Sequence, residues 1–285
     1  MSQRTAATPD LALTAREWDQ RFPGALDGLG IIGGGANVIM QLALPGVGYG
    51  VLESRVESGQ LFRHPIKRTR TTLTYIAVAM IGTPEEKARY RRAVNSAHAQ
   101  VYSTESSPVH YRAFDPSLQL WVAACLHWGL ADIQRYLHGE MTASDAEHFY
   151  QLTKPLGTTL QVREDMWPAD LAAFQAYWES GLAALHLDEP VRRFLLDIAE
   201  LRFLPRPLSW LLGPFHCFMT TGFLPAEMRD AMGLPWSDKK QARFERVIAL
   251  LVGVNNLLPR VIRQMPYLLM IRDFRRRLRR GQPLI

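Results

Sequence analysis

The sequence predicts an all-α protein folded as a single helical domain. Three observations carry that expectation. Helix-start signals recur along the chain, the plainest being Thr83-Pro84-Glu85-Glu86, Asp115-Pro116 and Thr142-Ala143-Ser144-Asp145. Between them apolar residues recur at three- and four-residue spacing, and no run alternates as a half-buried strand does. No polar linker long enough to divide two domains interrupts the 285 residues. A chain of this length buries roughly three quarters of its unfolded surface and needs no disulfide staples. With 47% hydrophobic and 21% charged residues it has a globular composition, unlike a disordered chain.

The elements follow in order. Met1 to Asp27 reads as a polar N-terminal arm with a short helix around Arg16 to Phe22. Gly33-Gly34-Gly35 then opens an apolar helix, Ala36 to Leu44, stopped by Pro45. Three glycines before a helix can cradle a phosphate. Here no lysine follows at P-loop spacing and no G-x-G-x-x-G is present, so close backbone packing is the default. The next helix runs from about Ile66 to Ile81, with Pro65 before it and Gly82 closing it. The capping box at Thr83 starts another. Its Tyr90, Val94, Ala97 and Val101 form one apolar stripe, and His98 lies on or beside that stripe.

Asp115-Pro116 begins a helix with Leu118, Val122, Cys125 and Leu126 inward, and Thr142 begins one through Phe149 and Leu152. Trp167-Pro168 is read as the start of a helix carrying Leu171, Phe174, Tyr177 and Trp178. Further helices are expected at Pro190 to Arg202, Pro225 to Met232 and Ser237 to Val254. Pro205 to Leu224, with several Pro and Gly, is left unassigned, and there is no internal repeat.

Composition excludes several functions. Two cysteines, Cys125 and Cys217, allow neither a disulfide scaffold nor a four-cysteine zinc site and fit a reducing compartment. The net charge is +6, but Arg272 to Arg280 alone carries +5 of it, so a uniformly basic nucleic-acid face is not expected. Those arginines are either a solvated helix end or a contact to an anionic membrane surface. The longest apolar run, Val247 to Val254, is far below the roughly 20 residues of a spanning helix. Met1 to Leu13 lacks the apolar core of a secretion signal, and a cytoplasmic protein acting on something other than an extracellular polymer is expected.

Chemistry concentrates on two helices. A histidine on an apolar stripe is either a packed core residue or an axial haem ligand, which needs a neutral imidazole in an apolar pocket. No C-x-x-C-H is present, so covalent haem attachment is excluded. On the preceding helix Arg68, Thr72, Tyr75 and Ala79 share a face. That row is either a snorkelling arginine with neighbours or a polar row facing a pocket, able to bind a propionate or polarise a bound oxygen species. The other histidines show no H-E-x-x-H pattern, no Glu-x-x-His pair repeats, and no serine or cysteine sits in a nucleophile elbow.

Five short blocks in order give these residues a wider context. The first is Ala36-Asn37-Val38-Ile39-Met40-Gln41-Leu42-Ala43-Leu44-Pro45-Gly46-Val47, with Gly50-Val51 and Glu53-Ser54. Pro65, Arg68, Thr72 and Tyr75 form the second, and His98-Ala99-x-Val101 the third. The fourth is Tyr111-x-Ala113-x-Asp115-Pro116 with Trp121-Val122; the fifth is Thr221-Gly222-x-Leu224-Pro225 with Arg229 and Gly233-Leu234-x-Trp236. Across about Gly35 to Trp236 the chain resembles the MpaB/rubber-oxygenase (latex-clearing protein) family.

The resemblance implies a globin-like helical core enclosing a b-type haem, within a catalytic domain at 28–270 flanked by the arm at 1–27 and a basic tail at 271–285. His98 would be the proximal iron ligand. Arg68 and Thr72 would lie on the oxygen-binding side, Tyr75 would belong to the cofactor pocket, and Glu53 would be a proton acceptor. A lysine that can cap the iron in relatives is Thr71 here, which implies a water-capped or open iron. The histidine often found after Trp-Val in the family is Ala123. The expected pocket lining is Leu73, Tyr75 and Met80. The function implied is a haem b-dependent oxidoreductase using O₂ or peroxide on an apolar, isoprenoid- or lipid-like molecule. A non-catalytic haem- or lipid-binding protein, or a cofactor-free scaffold with His98 in its core, is the alternative.

Overall fold

A computed structural model of the chain describes residues 13–56 and 60–285. The first twelve residues of the expected arm lie outside the described residues. Among the described residues the fold is helical throughout, with no strand and one isolated antiparallel bridge, Tyr102 to Arg112.

Helix α1 (Ala15–Arg21) starts on a Thr14–Glu17 capping box and buries Trp18. A 3-10 segment, Gly28–Gly33, leads into α2 (Gly34–Leu42). Pro45 does more than stop that helix: it occupies the first turn of α3 (Pro45–Leu52), where its missing N–H is no loss. Helix α4 spans Pro65–Ile81 and α5 spans Pro84–His98. Both halves of the α5 capping box are made, Glu86 N–H to Thr83 Oγ1 at 3.3 Å and Thr83 N–H to Glu86 Oε2 at 3.0 Å. The chain turns sharply after His98, with Val101 N–H on the His98 carbonyl, so Val101 leaves the helical stripe.

Helix α6 (Pro116–His138) is the longest. Then come α7 (Ala143–Thr153), the single turn α8 (Pro155–Thr158), α9 (Leu171–Ala183) and α10 (Glu189–Ala199). The α9 start lies beyond the expected Trp167-Pro168. Asp170 supplies the cap, its carboxylate accepting from Ala173 N–H at 2.8 Å, while Trp167 is buried and stacks on Tyr150. A proline fits a first turn but caps nothing; the acceptor side chain decides. The unassigned stretch is α11 (Arg206–Phe223), an eighteen-residue helix that holds Pro214 internally. After it come α12 (Ala226–Met232), α13 (Asp238–Leu257), α14 (Arg260–Arg263) and α15 (Met265–Arg279).

At the centre, α2 packs on α3, α6, α10 and α11. Two side-chain bonds pin it to α6: Trp121 Nε1–H to the Met40 carbonyl at 2.9 Å and Asn37 Nδ2–H to the Cys125 carbonyl at 2.5 Å. Within the glycine triad it is Gly35 that serves close approach. A Cβ on Gly35 would stand 2.6 Å from Thr220 Oγ1 and 2.8 Å from the His216 ring. Helix α4 is flanked by α5, α8 and, along most of its length, α15.

Both expected flanking segments pack into this body. Trp18, Phe22 and Leu26 are buried before position 28, and Ile271 and Phe274 after position 270. Arg275 forms a bidentate pair with Glu86, and Arg276 and Arg277 pair with Asp273, so half of the arginine cluster is engaged within the molecule. No single helix among the described residues is long and apolar enough to cross a membrane.

Candidate functional site

Helices α4 and α5 are antiparallel neighbours whose facing sides are held by tyrosines. Tyr90 is buried, stacks on Tyr75 with ring centroids 6.2 Å apart, and donates to the Thr71 carbonyl at 2.9 Å. Between these helices, α3, α6 and α8 lies a cavity of about 220 Å³. Helix α4 contributes Arg68, Thr71, Thr72 and Tyr75 to it; α5 contributes Tyr90, Val94, Ala97 and His98. The remaining wall is mostly apolar, from Val47, Val51, Leu118, Val122, Leu126 and Leu156 among others.

Five of the six site residues expected from the sequence therefore share one cavity. The periodicity of α4 explains which do. Thr71, Thr72 and Tyr75 stay within about 60° of Arg68 around the helix axis, whereas Leu73 and Met80 fall about 140° and 120° away. Leu73 and Met80, expected as lining, accordingly turn into the core. Met80 is buried, and its carbonyl accepts from Trp18 Nε1–H at 3.0 Å.

His98 is the only histidine that lines the cavity among the described residues. Burial, with the Arg68 cation nearby as the lesser cause, lowers its pKa from 6.5 to about 4. A helix C-terminus favours an imidazolium, but desolvation outweighs it here. The ring is thus neutral in ordinary buffers. Its Nδ1 is buried without a hydrogen-bond partner among the described residues, and its ring meets Phe114 edge-on at 6.4 Å. A satisfied core histidine looks different. His127 in α6 is equally neutral, its pKa lowered by burial to about 3, and its Nδ1 is bonded to Thr153 Oγ1 at 2.8 Å.

Arg68 is half-buried and lines the cavity. Desolvation lowers its pKa, and no carboxylate pairs with it among the described residues. The two threonines are less free. Thr71 Oγ1–H donates to the Lys67 carbonyl at 2.9 Å and Thr72 Oγ1–H to the Arg68 carbonyl at 3.1 Å, so both present lone pairs to the cavity. The Tyr75 hydroxyl donates to the Leu156 carbonyl, and burial raises its pKa, keeping the phenol neutral.

Glu53 stands apart, at the end of α3. It lines a second, more polar cavity of about 270 Å³ that shares Gly50, Ser54, Val101 and Tyr111 with the first. Its Oε2 accepts from Tyr111 Oη–H and Ser107 Oγ–H, both at 2.6 Å. Burial and then that carboxylate push the Tyr111 pKa up to about 12. Tyr111 is the link that sequence reasoning did not place in the site, because a loop closed by Ser103–Tyr111 and Ala113–Val101 backbone bonds brings it there.

A helical domain thus lines a largely apolar cavity with one neutral imidazole and one guanidinium that no carboxylate pairs among the described residues, features that small-molecule sites share. Among the described residues no three His, Cys, Asp or Glu converge as a metal-ligand set. Residues 24–253 match the family described as ER-bound oxygenase mpaB/B′/Rubber oxygenase, catalytic domain. The chain belongs to this family of oxygenase catalytic domains. It is 52% identical over 250 residues to "Uncharacterized protein Mb2261" of Mycobacterium bovis and to "Uncharacterized protein Rv2237" of Mycobacterium tuberculosis, covering 88% of this chain and 98% of each relative. No solved structure matches.

Proposed function

We propose that this chain is a haem b-dependent oxygenase of an apolar, isoprenoid- or lipid-like small molecule, with His98 as the iron ligand. The observation that carries the reading is the state of His98: a neutral ring on a largely apolar cavity, with a buried nitrogen that has no partner among the described residues. An unpaired buried polar atom is costly and calls for an explanation. A lone imidazole suits a metal that arrives with its other ligands already in a macrocycle. The residues present therefore fit this group.

When bound, haem supplies the electron-transfer and oxygen-activating chemistry. The chain supplies the surroundings. His98 offers an imidazole that resists protonation down to about pH 4. Arg68 brings a cation with no carboxylate partner among the described residues, suited to a propionate carboxylate or to negative charge developing on a reactant oxygen. Thr72, one turn away, is an acceptor as it stands and becomes a donor by turning its proton off the Arg68 carbonyl. The apolar walls admit a hydrocarbon and exclude water. A proton leaving the cavity through the Tyr111 hydroxyl is received by Glu53.

O₂ uptake by the haem-loaded protein, with squalene as the apolar probe, tests this reading. Arg68→Ala and Thr72→Ala should each lower turnover by about 10²–10³ while the bound haem stays in place. Unchanged turnover in both variants would remove the proposed roles.

A further inference from the structure

Away from the cavity the molecule displays a large amount of apolar surface of one kind. Among the described residues, thirteen of the seventeen exposed large hydrophobic side chains fall in two segments, 201–226 and 246–272. Neither segment contains an aspartate or glutamate, and of their six arginines Arg202, Arg260 and Arg263 face Glu200, Asp19 and Asp27, leaving Arg206, Arg246 and Arg272 with no carboxylate partner among the described residues. On α11, Leu208, Leu211, Leu212 and Phe215 are spaced i, i+3, i+4, i+7 and face outward, and Trp210, 83% exposed, projects from the other side of the same helix, about 150° around its axis. On α13, Leu250, Val254 and Leu257 form a second outward stripe, spaced i, i+4, i+7. Met265 and Leu269 begin a third on α15. A soluble helix turns such a stripe inward; here three are turned out.

Each stripe ends in a positive charge. Arg206 precedes the first, Arg246 lies one turn before Leu250, and Arg272 three residues after Leu269; all three are exposed. Arg260, between the second stripe and exposed Val261, is the fourth, with Asp19 at 3.6 Å. Helices α11, α13 and α15 all touch the 3-10 segment Gly28–Gly33, which itself exposes Ile31.

We propose that these three stripes form one face that docks on an anionic lipid bilayer, the apolar side chains entering the headgroup–acyl boundary and the arginines meeting lipid phosphates. Apolar patches of this extent mark interaction sites. The sign of the rim selects the occupant. A second copy, paired by a two-fold axis, would bring the same arginines together, whereas an anionic headgroup layer neutralises them. The exposed Trp210 ring is of the kind that partitions best at a membrane interface. This surface is distinct from the 275–280 arginines, three of which are engaged by Glu86 and Asp273. It stands independently of the cofactor reading.

Flotation of the full chain with vesicles tests it, using phosphatidylcholine containing about one third phosphatidylglycerol against phosphatidylcholine alone. Wild type should float with the anionic vesicles, and added salt should weaken that binding. Trp210→Glu with Leu257→Glu should cut the bound fraction about tenfold or more. Both positions are over 80% exposed, so circular dichroism should stay native. Arg206→Ala or Arg246→Ala should each weaken anionic binding about fivefold. The proposal is overturned if wild type ignores both vesicles, or if the double glutamate variant floats as wild type does. It is equally overturned if sedimentation shows a dimer that those glutamates break while vesicles are ignored, which would assign the face to a second copy.

Discussion

His98 is partly buried and His127 fully buried, and the two differ in one hydrogen bond. His127 bonds its Nδ1 to Thr153, whereas the His98 Nδ1 has no partner among the described residues. Both pKa values are depressed in the fold, to about 4 and about 3 from 6.5. The unfolded chain therefore takes up protons first as pH falls below about 6.5, and stability declines from there towards pH 4. Urea midpoints across that window should fall in wild type and fall less in His98→Gln and His127→Gln; an identical pH slope in all three would show that neither ring is buried as described. The position of His98 was legible because one helical stripe put a histidine among apolar residues. Its unpaired nitrogen was not, since that depends on every neighbour across the cavity. The committed hydroxyls of Thr71 and Thr72 were hidden for the same reason.

At the scale of elements, caps were the most legible feature, because capping is chemistry among residues a few positions apart. The Thr83–Glu86 box forms as the spacing requires, and Thr83→Ala should cost about 1 kcal/mol in urea denaturation with an unchanged slope. Glycine and proline misled more. Pro214 removes an N–H from the middle of α11, leaving the Trp210 carbonyl without its usual donor. The helix persists because tertiary contact holds it: a Cβ on Gly213 would stand 2.5 Å from the Glu200 carbonyl, so α11 rests directly on the end of α10. The glycine triad makes a sharper test. Gly35→Ala should destabilise by about 1–3 kcal/mol through its clash with Thr220 and His216. Gly34→Ala, with open space around it and a helical backbone, should be neutral or stabilising by up to about 1 kcal/mol. Equal effects at the two positions would contradict close packing as the reason for the glycines.

The whole molecule joins its C-terminal helix to the site through aromatic rings. Phe274 of α15 is buried and meets Tyr90 edge-on at 5.8 Å; Tyr90 in turn stacks on Tyr75 at the cavity wall. Residues read from the sequence as a basic tail thus support the cavity from behind. Charge dominates the sequence there and masks the apolar Ile271 and Phe274, which are buried beneath it. Phe274→Ala should cost about 3–5 kcal/mol and should also weaken cofactor retention, read as the haem-to-protein ratio after gel filtration. A large stability loss with undiminished retention would separate α15 from the site. The all-α class was legible from periodicity and caps. The orientation of the second cavity was not, because Glu53 and Tyr111 are 58 positions apart and meet only through the loop after α5.

The central claim is that the His98 imidazole holds a haem iron, and a cavity variant with chemical rescue tests it most directly. Wild type titrated with haem should develop a Soret band that saturates at one equivalent. His98→Gly, folded by circular dichroism, should give no such band and should recover it when free imidazole is added. A His98→Gly protein that titrates like wild type without imidazole would contradict the account.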